Sequence, residues 1–434
     1  MNYKEAVSYL NSFSRFGSRP GLTTIQYLLY LMGNPERRLR VIHIAGTNGK
    51  GSTSSMLAKG LANIGYKVGL YTSPHLFSIR ERIKINGIDI TEEEFTALVE
   101  EVIPYVERVS RKNGCFHPTF FETLTAMAFW YFAEKKVDIS IVETGMGGRF
   151  DATNVTYPLI SLITHIARDH TNFLGWEIEK IAEEKCGIIK GGIPVVSGIQ
   201  SENVKKVIEN FSSYKGSPFY ILNNKVSHIS LTENGTDFVY KDEEGINYNV
   251  SIPLIGYHQA ENAALSIYAS EVLKKHWDYD FSISQFIKGL RGVKWPGRFQ
   301  IASKRPYIIL DGAHNLDGTK RLVETLKSLF PNKKITIISG ILKDKEYKEM
   351  AKLLAPLAKK IIVTTPESER ALSPSVLKEV FSLYTDVPIE VILNPIEALK
   401  YAKKDLSPHD ILLVTGSLYL IGKVGSLLLK NEKK

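Results

Sequence analysis

The sequence predicts an α/β protein in two successive units, each built on a mostly parallel sheet. Three observations lead there. The apolar run Val41-Ile42-His43-Ile44-Ala45 stops at a glycine-rich segment, Gly46-Thr47-Asn48-Gly49-Lys50-Gly51-Ser52, and reopens into a helix-like pattern ending near Asn63. Short apolar runs and helical patterns then alternate along most of the chain, as in a parallel sheet with helices on both faces. The alternation breaks at Lys294-Trp295-Pro296-Gly297-Arg298, where proline and glycine interrupt both helix and strand, and restarts beyond it. The expected units are residues 1–294 and 295–434.

In the first unit a strand is expected near Lys67 to Tyr71, with helices over Glu92 to Val109 and Pro118 to Lys135. Buried strands follow at Val137 to Val142 and Leu159 to Thr164, then a helix over Glu177 to Cys186 and an apolar run at Pro194-Val195-Val196. Residues 218–252 read differently: the turns Asn234-Gly235 and Glu244-Gly245 separate short alternating segments, which predicts a small antiparallel edge sheet. A helix from Tyr257 to about Lys274 closes the unit. The second unit is a smaller, Rossmann-like α/β layer structure. Its strands are expected at Tyr307 to Leu310, Ile335 to Ser339, Lys360 to Thr364, Ile389 to Ile392 and Ile411 to Thr415.

Composition narrows the class. A chain of 434 residues is too long for one ordinary core. Only two cysteines, Cys115 and Cys186, argue against a disulfide framework or a thiolate metal site and for a reducing compartment. The N-terminus lacks the apolar core of a signal peptide, and no stretch approaches the roughly 20 apolar residues of a membrane span. The expected location is cytoplasmic. A net charge of +9 favours anionic partners, and the basic residues are scattered, so a small polyanionic substrate fits as well as nucleic acid.

The chemistry begins at the glycine loop. Between a strand and a helix, glycines let backbone N–H groups approach phosphate, the helix N-terminus contributes its dipole and Lys50 adds a point charge. The loop is two residues shorter between its first glycines than the standard phosphate loop, and Gly51 separates Lys50 from Ser52. A plain turn is the competing reading. Glu143 ends a strand beside this loop, where a carboxylate can hold Mg²⁺ or cap a loop. His170 follows the next strand, as a metal ligand or a structural histidine. Lys185, near the end of its helix, reads by itself as a solvent-facing lysine that complements the dipole. Asp311 to Asn315 and Thr415-Gly416-Ser417 follow strands of the second unit, where open sheets bind ligands, although Asn315 and Ser417 also suit helix caps. Arg298 is either a linker residue or a phosphate contact.

Taken in order, these segments resemble the folylpolyglutamate synthase/dihydrofolate synthase branch of the Mur ligase superfamily. The resemblance runs from Arg15-Phe16-Gly17 and Pro20-Gly21-Leu22 through the short glycine loop, which is that family's own form. It continues through Tyr71 to Leu76, Glu81-Arg82-Ile83, Gly147 to Asn154, Asp169-His170, Glu184-Lys185 and Asn262. Pro296 to Phe299, Asp311 to Asn315 and Gly416-Ser417 complete it. It implies a P-loop ATP-binding unit and a C-terminal glutamate-ligase unit. The implied reaction is addition of L-glutamate to the γ-carboxylate of a folate through an acyl phosphate, with dihydropteroate as an open second substrate. Catalytic roles fall by resemblance on Lys50, His170, Lys185 and His314. ATP contacts fall on Gly46, Thr47, Asn48, Gly49, Lys50, Gly51, Ser52, Asn262, Arg298 and Asp311. Ser73, Glu143, His170 and Lys185, the last as a carbamate formed with CO₂, would hold Mg²⁺, with K⁺ an optional further cation. Ser73, Pro74, His75, Arg82, Asp151 and Ala152 would lie near the folate, and His314 and Ser417 near the incoming glutamate. Cys186 and Ala167 stand where the family pattern has alanine and glycine. Small-molecule partners, no nucleic acid, no membrane and a monomer are expected. A cell-wall Mur ligase would need a uridine-nucleotide-binding domain ahead of the loop, where only 45 residues stand. A nucleic-acid-dependent ATPase is the third reading.

Overall fold

The computed structural model describes residues 1–13, 17, 21–112, 116–169 and 175–430. Of the positions singled out above, His170, Cys115, Arg15, Phe16 and Pro20 lie outside the described residues.

The first sheet is formed by β1 (Val41–Ala45), β2 (Val68–Tyr71), β3 (Ile83–Ile85), β4 (Ile88–Asp89), β5 (Ile139–Glu143), β6 (Ile160–Ile163), β7 (Val195–Ser197) and β8 (Phe219–Ile221). Among the described residues its order is β4-β3-β2-β5-β1-β6-β7-β8. All pairings are parallel except β2 with β3 and β3 with β4. The central strand β1 is buried throughout. One face packs on the helices Tyr3–Asn11, Thr23–Leu31, Glu92–Ser110 and Phe120–Glu134. Thr91 and Thr119 start the last two with reciprocal caps to Glu94 and Glu122, which satisfies the free N–H groups of the first turn. The other face packs on the helices Lys50–Asn63, Tyr257–His276 and Ile283–Leu290.

The hairpin stretch expected over 218–252 divides. Its first segment becomes β8, a parallel edge strand of the first sheet. The rest forms a separate antiparallel sheet of β9 (Val226–Thr232), β10 (Gly235–Lys241) and β11 (Asn247–Ile252), because Phe238, Tyr240, Val250 and Ile252 bury one face in the core shared with helix Tyr257–His276.

The last sheet comprises β12 (Gln300–Lys304), β13 (Tyr307–Asp311), β14 (Ile335–Ser339), β15 (Ala358–Val363), β16 (Ile389–Val391) and β17 (Ile411–Thr415), in the order β12-β13-β17-β14-β15-β16. Strand β12 is an antiparallel edge that apolar periodicity does not reveal, since its residues are only partly buried. No described helix is long and apolar enough to cross a membrane.

The helix behind the glycine loop is held by close packing. A Cβ on Gly60 would stand 2.4 Å from the Phe286 ring, so Lys50–Asn63 and Ile283–Leu290 meet at van der Waals distance. Gly60→Ala is therefore expected to destabilise the fold by about 1–3 kcal/mol through overpacking. Adding Phe286→Leu should recover part of the loss in chemical denaturation, and equal stability of Gly60→Ala and wild type would contradict this packing.

Candidate active site

The site grows from the C-terminal ends of both parallel sheets, where strands stop and helix N-termini face one cleft. In the first sheet Ile44 pairs with Glu143, which sets that carboxylate directly beside the glycine loop. In the last sheet Asp311 pairs with Thr415, so the turns carrying His314 and Ser417 are neighbours, and Gly416 N–H donates to the Ala313 carbonyl (3.2 Å).

The loop suits an anion. Gly46 and Gly49 have φ of 151° and 87°, and a Cβ on them would strike Thr164 and Asn262. Gly49 caps the helix Lys50–Asn63 without any side-chain hydrogen bond, which leaves the first N–H groups for a ligand. Two lysines converge on the Gly46 carbonyl: Lys185 Nζ donates at 2.6 Å and Lys50 Nζ at 3.3 Å. Lys185 is buried rather than solvent-facing. Burial, reinforced by Lys50, lowers its pKa to about 7. Glu143 is 3% exposed and accepts a hydrogen bond from Ser73 N–H at 3.3 Å. Burial raises its pKa to about 7 against the pull of Lys50.

The far side of the cleft comes from the last sheet. Arg298, Asp311, His314 and Ser417 line it, and the Asn262 amide lies against Gly49 of the loop. Asp311 accepts Phe299 N–H and Ala313 N–H, each at 2.8 Å, which fixes its turn. Ser417 Oγ accepts Tyr419 N–H at 3.2 Å while its residue also borders the cleft. Asn315 does more than cap its helix. It exchanges two amide hydrogen bonds with Asn48 of the glycine loop (3.2 and 3.0 Å) and donates to Asp169 at 3.0 Å. Lys345 pairs with Asp169 in a buried ion pair across the same seam.

Of the positions expected near the folate, His75, Arg82, Asp151 and Ala152 do not line this cleft. Ser73 and Pro74 line it. His75 accepts from Arg82 Nε at 2.9 Å in a partly buried pair, and Arg82 lies over the Phe120 ring at 5.4 Å. Ala152 is packed in the helical core, and the carboxylate of Asp151 is turned to its own backbone. Lys345 is the main residue missed. It follows β14, so the strand-end rule applied to Asp311 and Ser417 would also have selected Gly340 to Lys345.

This geometry has counterparts. The Mur ligase middle domain description matches residues 44–270, and the Mur ligase, glutamate ligase domain description matches residues 297–418. A dihydrofolate synthase/folylpolyglutamate synthase of Bacillus subtilis (strain 168) is 40% identical over 97% of this chain and 98% of its own. The chain belongs to the Mur ligases, in the folylpolyglutamate synthase/dihydrofolate synthase family. The Mycobacterium tuberculosis folylpolyglutamate synthase complexed with ADP superposes with a TM-score of 0.91 at 29% identity, covering 98% of this chain and 99% of that one. An FPGS-AMPPCP-folate complex gives 0.86 at 35% identity, over 99% of this chain and 100% of that one. The two matched descriptions of this Mur ligase meet on either side of the cleft just described.

Three histidines, His43 fully buried and His75 and His258 partly so, are expected to make this Mur ligase acid-sensitive. Burial lowers His43 and His258 to about 3 and His75 to about 4, aided respectively by Lys190, Arg321 and Arg82. Their unfolded value is about 6.5. Between about pH 6.5 and 4 the unfolded chain binds protons that the folded chain does not, so stability falls as pH falls through that window. Denaturant melts at pH 7.5, 6 and 5 should show it. His258→Gln should flatten the decline, and a decline unchanged in that variant would remove His258 from the account.

Proposed function

We propose that the chain adds L-glutamate to the γ-carboxylate of a folate, using ATP and an acyl phosphate. The observation that carries this reading is the single cleft in which the glycine loop, Glu143 and Lys185 face Arg298, Asp311, His314 and Ser417. Residues 1–294 supply the phosphate side and residues 295–434 the amino-acid side. A carboxylate is a poor acyl donor because oxide would have to leave, and phosphorylation supplies a better leaving group. The attacking carboxylate and the γ-phosphate are both anionic, so cations must neutralise them on approach. Lys50 and the uncapped N–H groups of its helix do this from one side and Arg298 from the other. Asn262 and Asp311 hold the nucleotide, and His314 and Ser417 position the glutamate whose amine attacks the acyl carbon. Closing the cleft keeps water from the acyl phosphate until then.

The residues present fit Mg²⁺. Glu143 is a buried carboxylate held near neutrality, which an added cation would compensate, and Ser73 stands beside it. His170 completes that set by resemblance. Mg²⁺ at this place would offset phosphate charge. Lys185 fits carbamylation, since CO₂ combines only with a neutral amine and burial holds this one near neutrality.

The decisive assay is ATP-dependent incorporation of L-glutamate, with tetrahydrofolate and dihydropteroate offered in parallel. Phosphate release that needs DNA or RNA instead of folate and glutamate would overturn the reading. Lys50→Ala should stay folded and lose about 10²–10³-fold in rate, and near-normal ligation by it would reject the phosphate-loop role. Lys185→Ala should be inactive and recover part of its activity with a short carboxylic acid. Wild type should weaken in CO₂-free buffer and recover with bicarbonate, and full activity without CO₂ would exclude the carbamate.

A further inference from the structure

Between Glu143 and Lys185 runs the loop Thr144 to Arg149, and it touches both ends of the proposed metal set. Thr144 N–H donates to the Ile44 carbonyl at 2.9 Å, and Arg149 N–H donates to the Glu184 carbonyl at 2.8 Å. A Cβ on Gly148 would stand 2.8 Å from the Lys185 carbonyl oxygen, so the loop lies against the backbone that carries Lys185. The loop has no regular secondary structure of its own, and something must hold it.

Asp151 does so. Its Oδ2 accepts Gly145 N–H at 2.8 Å and Met146 N–H at 2.9 Å. Its Oδ1 accepts Thr153 N–H at 3.0 Å and the Thr153 hydroxyl at 2.5 Å. Four donors occupy a carboxylate that is 7% exposed. The Thr153 hydroxyl gives its proton to Asp151, so toward His43 it can only accept. His43 Nε2, 2.8 Å away, must therefore carry the proton, and its Nδ1 is buried with no partner among the described residues. The hydrogen bonds run from His43 on the central strand β1 to the Thr153 hydroxyl and from that hydroxyl to Asp151, whose other oxygen accepts the N–H groups of the loop.

We propose that His43, Thr153 and Asp151 form a positioning relay that fixes the Thr144 to Arg149 loop, and through it the relative placement of Glu143 and Lys185. Asp151 then serves the chain's own backbone. The inference rests on the ligase reading above. Relay partners of this kind change activity by about 10–100-fold when removed.

Thr153→Val removes the hydroxyl at constant shape, and Thr153→Ser restores it. Thr153→Val is expected to lose about 10-fold or more in kcat with KM for folate within about twofold, and Thr153→Ser to recover most of kcat. Thr153→Val added to Asp151→Asn should cost little beyond Asp151→Asn alone, since both break one chain. Hydrogen exchange supplies a second readout that needs no substrate. The Gly145 and Met146 amides should lose protection in Thr153→Val while the β1 and β5 amides keep theirs. Unchanged kcat with unchanged exchange in Thr153→Val would overturn the relay. So would an Asp151→Asn variant that raises KM for folate and leaves kcat intact. If wild type fails to ligate glutamate, the functional reading falls and the exchange result alone decides the relay.

Discussion

A reciprocal pair of amides, Asn48 in the glycine loop and Asn315 at the start of a helix in the last unit, joins the two halves of the cleft. Each donates to the other, and Asn315 also reaches Asp169, which Lys345 neutralises in a buried pair. An amide pair is selective in direction: each partner must present its oxygen to the other's nitrogen, so sliding by one residue leaves buried groups unsatisfied. The ion pair adds strength but little geometry. With Asp317, which accepts from Asn48 and pairs with His165, they tie the phosphate side of the cleft to the amino-acid side.

Burial does most of the electrostatic work inside. Glu143 and Lys185 move toward neutrality from opposite directions, both to about 7. In water one would be an anion and the other a cation. Here each sits where adding or removing charge is easy, which suits a site whose occupants are themselves charged and come and go.

Much of the fold was legible because parallel strands buried on both faces read as continuous apolar runs, and β1, β5, β6 and β17 lie close to where those runs stand. Strand β12 was not, because a partly buried edge carries no such run. The antiparallel stretch was recognised by its turns, yet its division between two sheets depends on helix Tyr257–His276, which no local pattern announces. Within the site, glycine spacing and strand ends pointed to the loop, Glu143, Asp311 and Ser417. Lys185 shows the opposite case: its helical position alone says solvent, and only resemblance pointed inward, where the structure puts it. Asn315 was read as a cap and is one, but its second task lies across a seam that sequence separation hides.

The glycine loop holds one further glycine with a second reason to stay small. A Cβ on Gly51 would stand 2.6 Å from the indole of Trp295, in the connector between helix Ile283–Leu290 and β12. The smallness of that position is set by the connector pressing on it from outside. Two places far apart in the gene thus share one volume. A larger residue at the first needs a smaller one at the second, and changing one without the other costs the seat on which the connector rests.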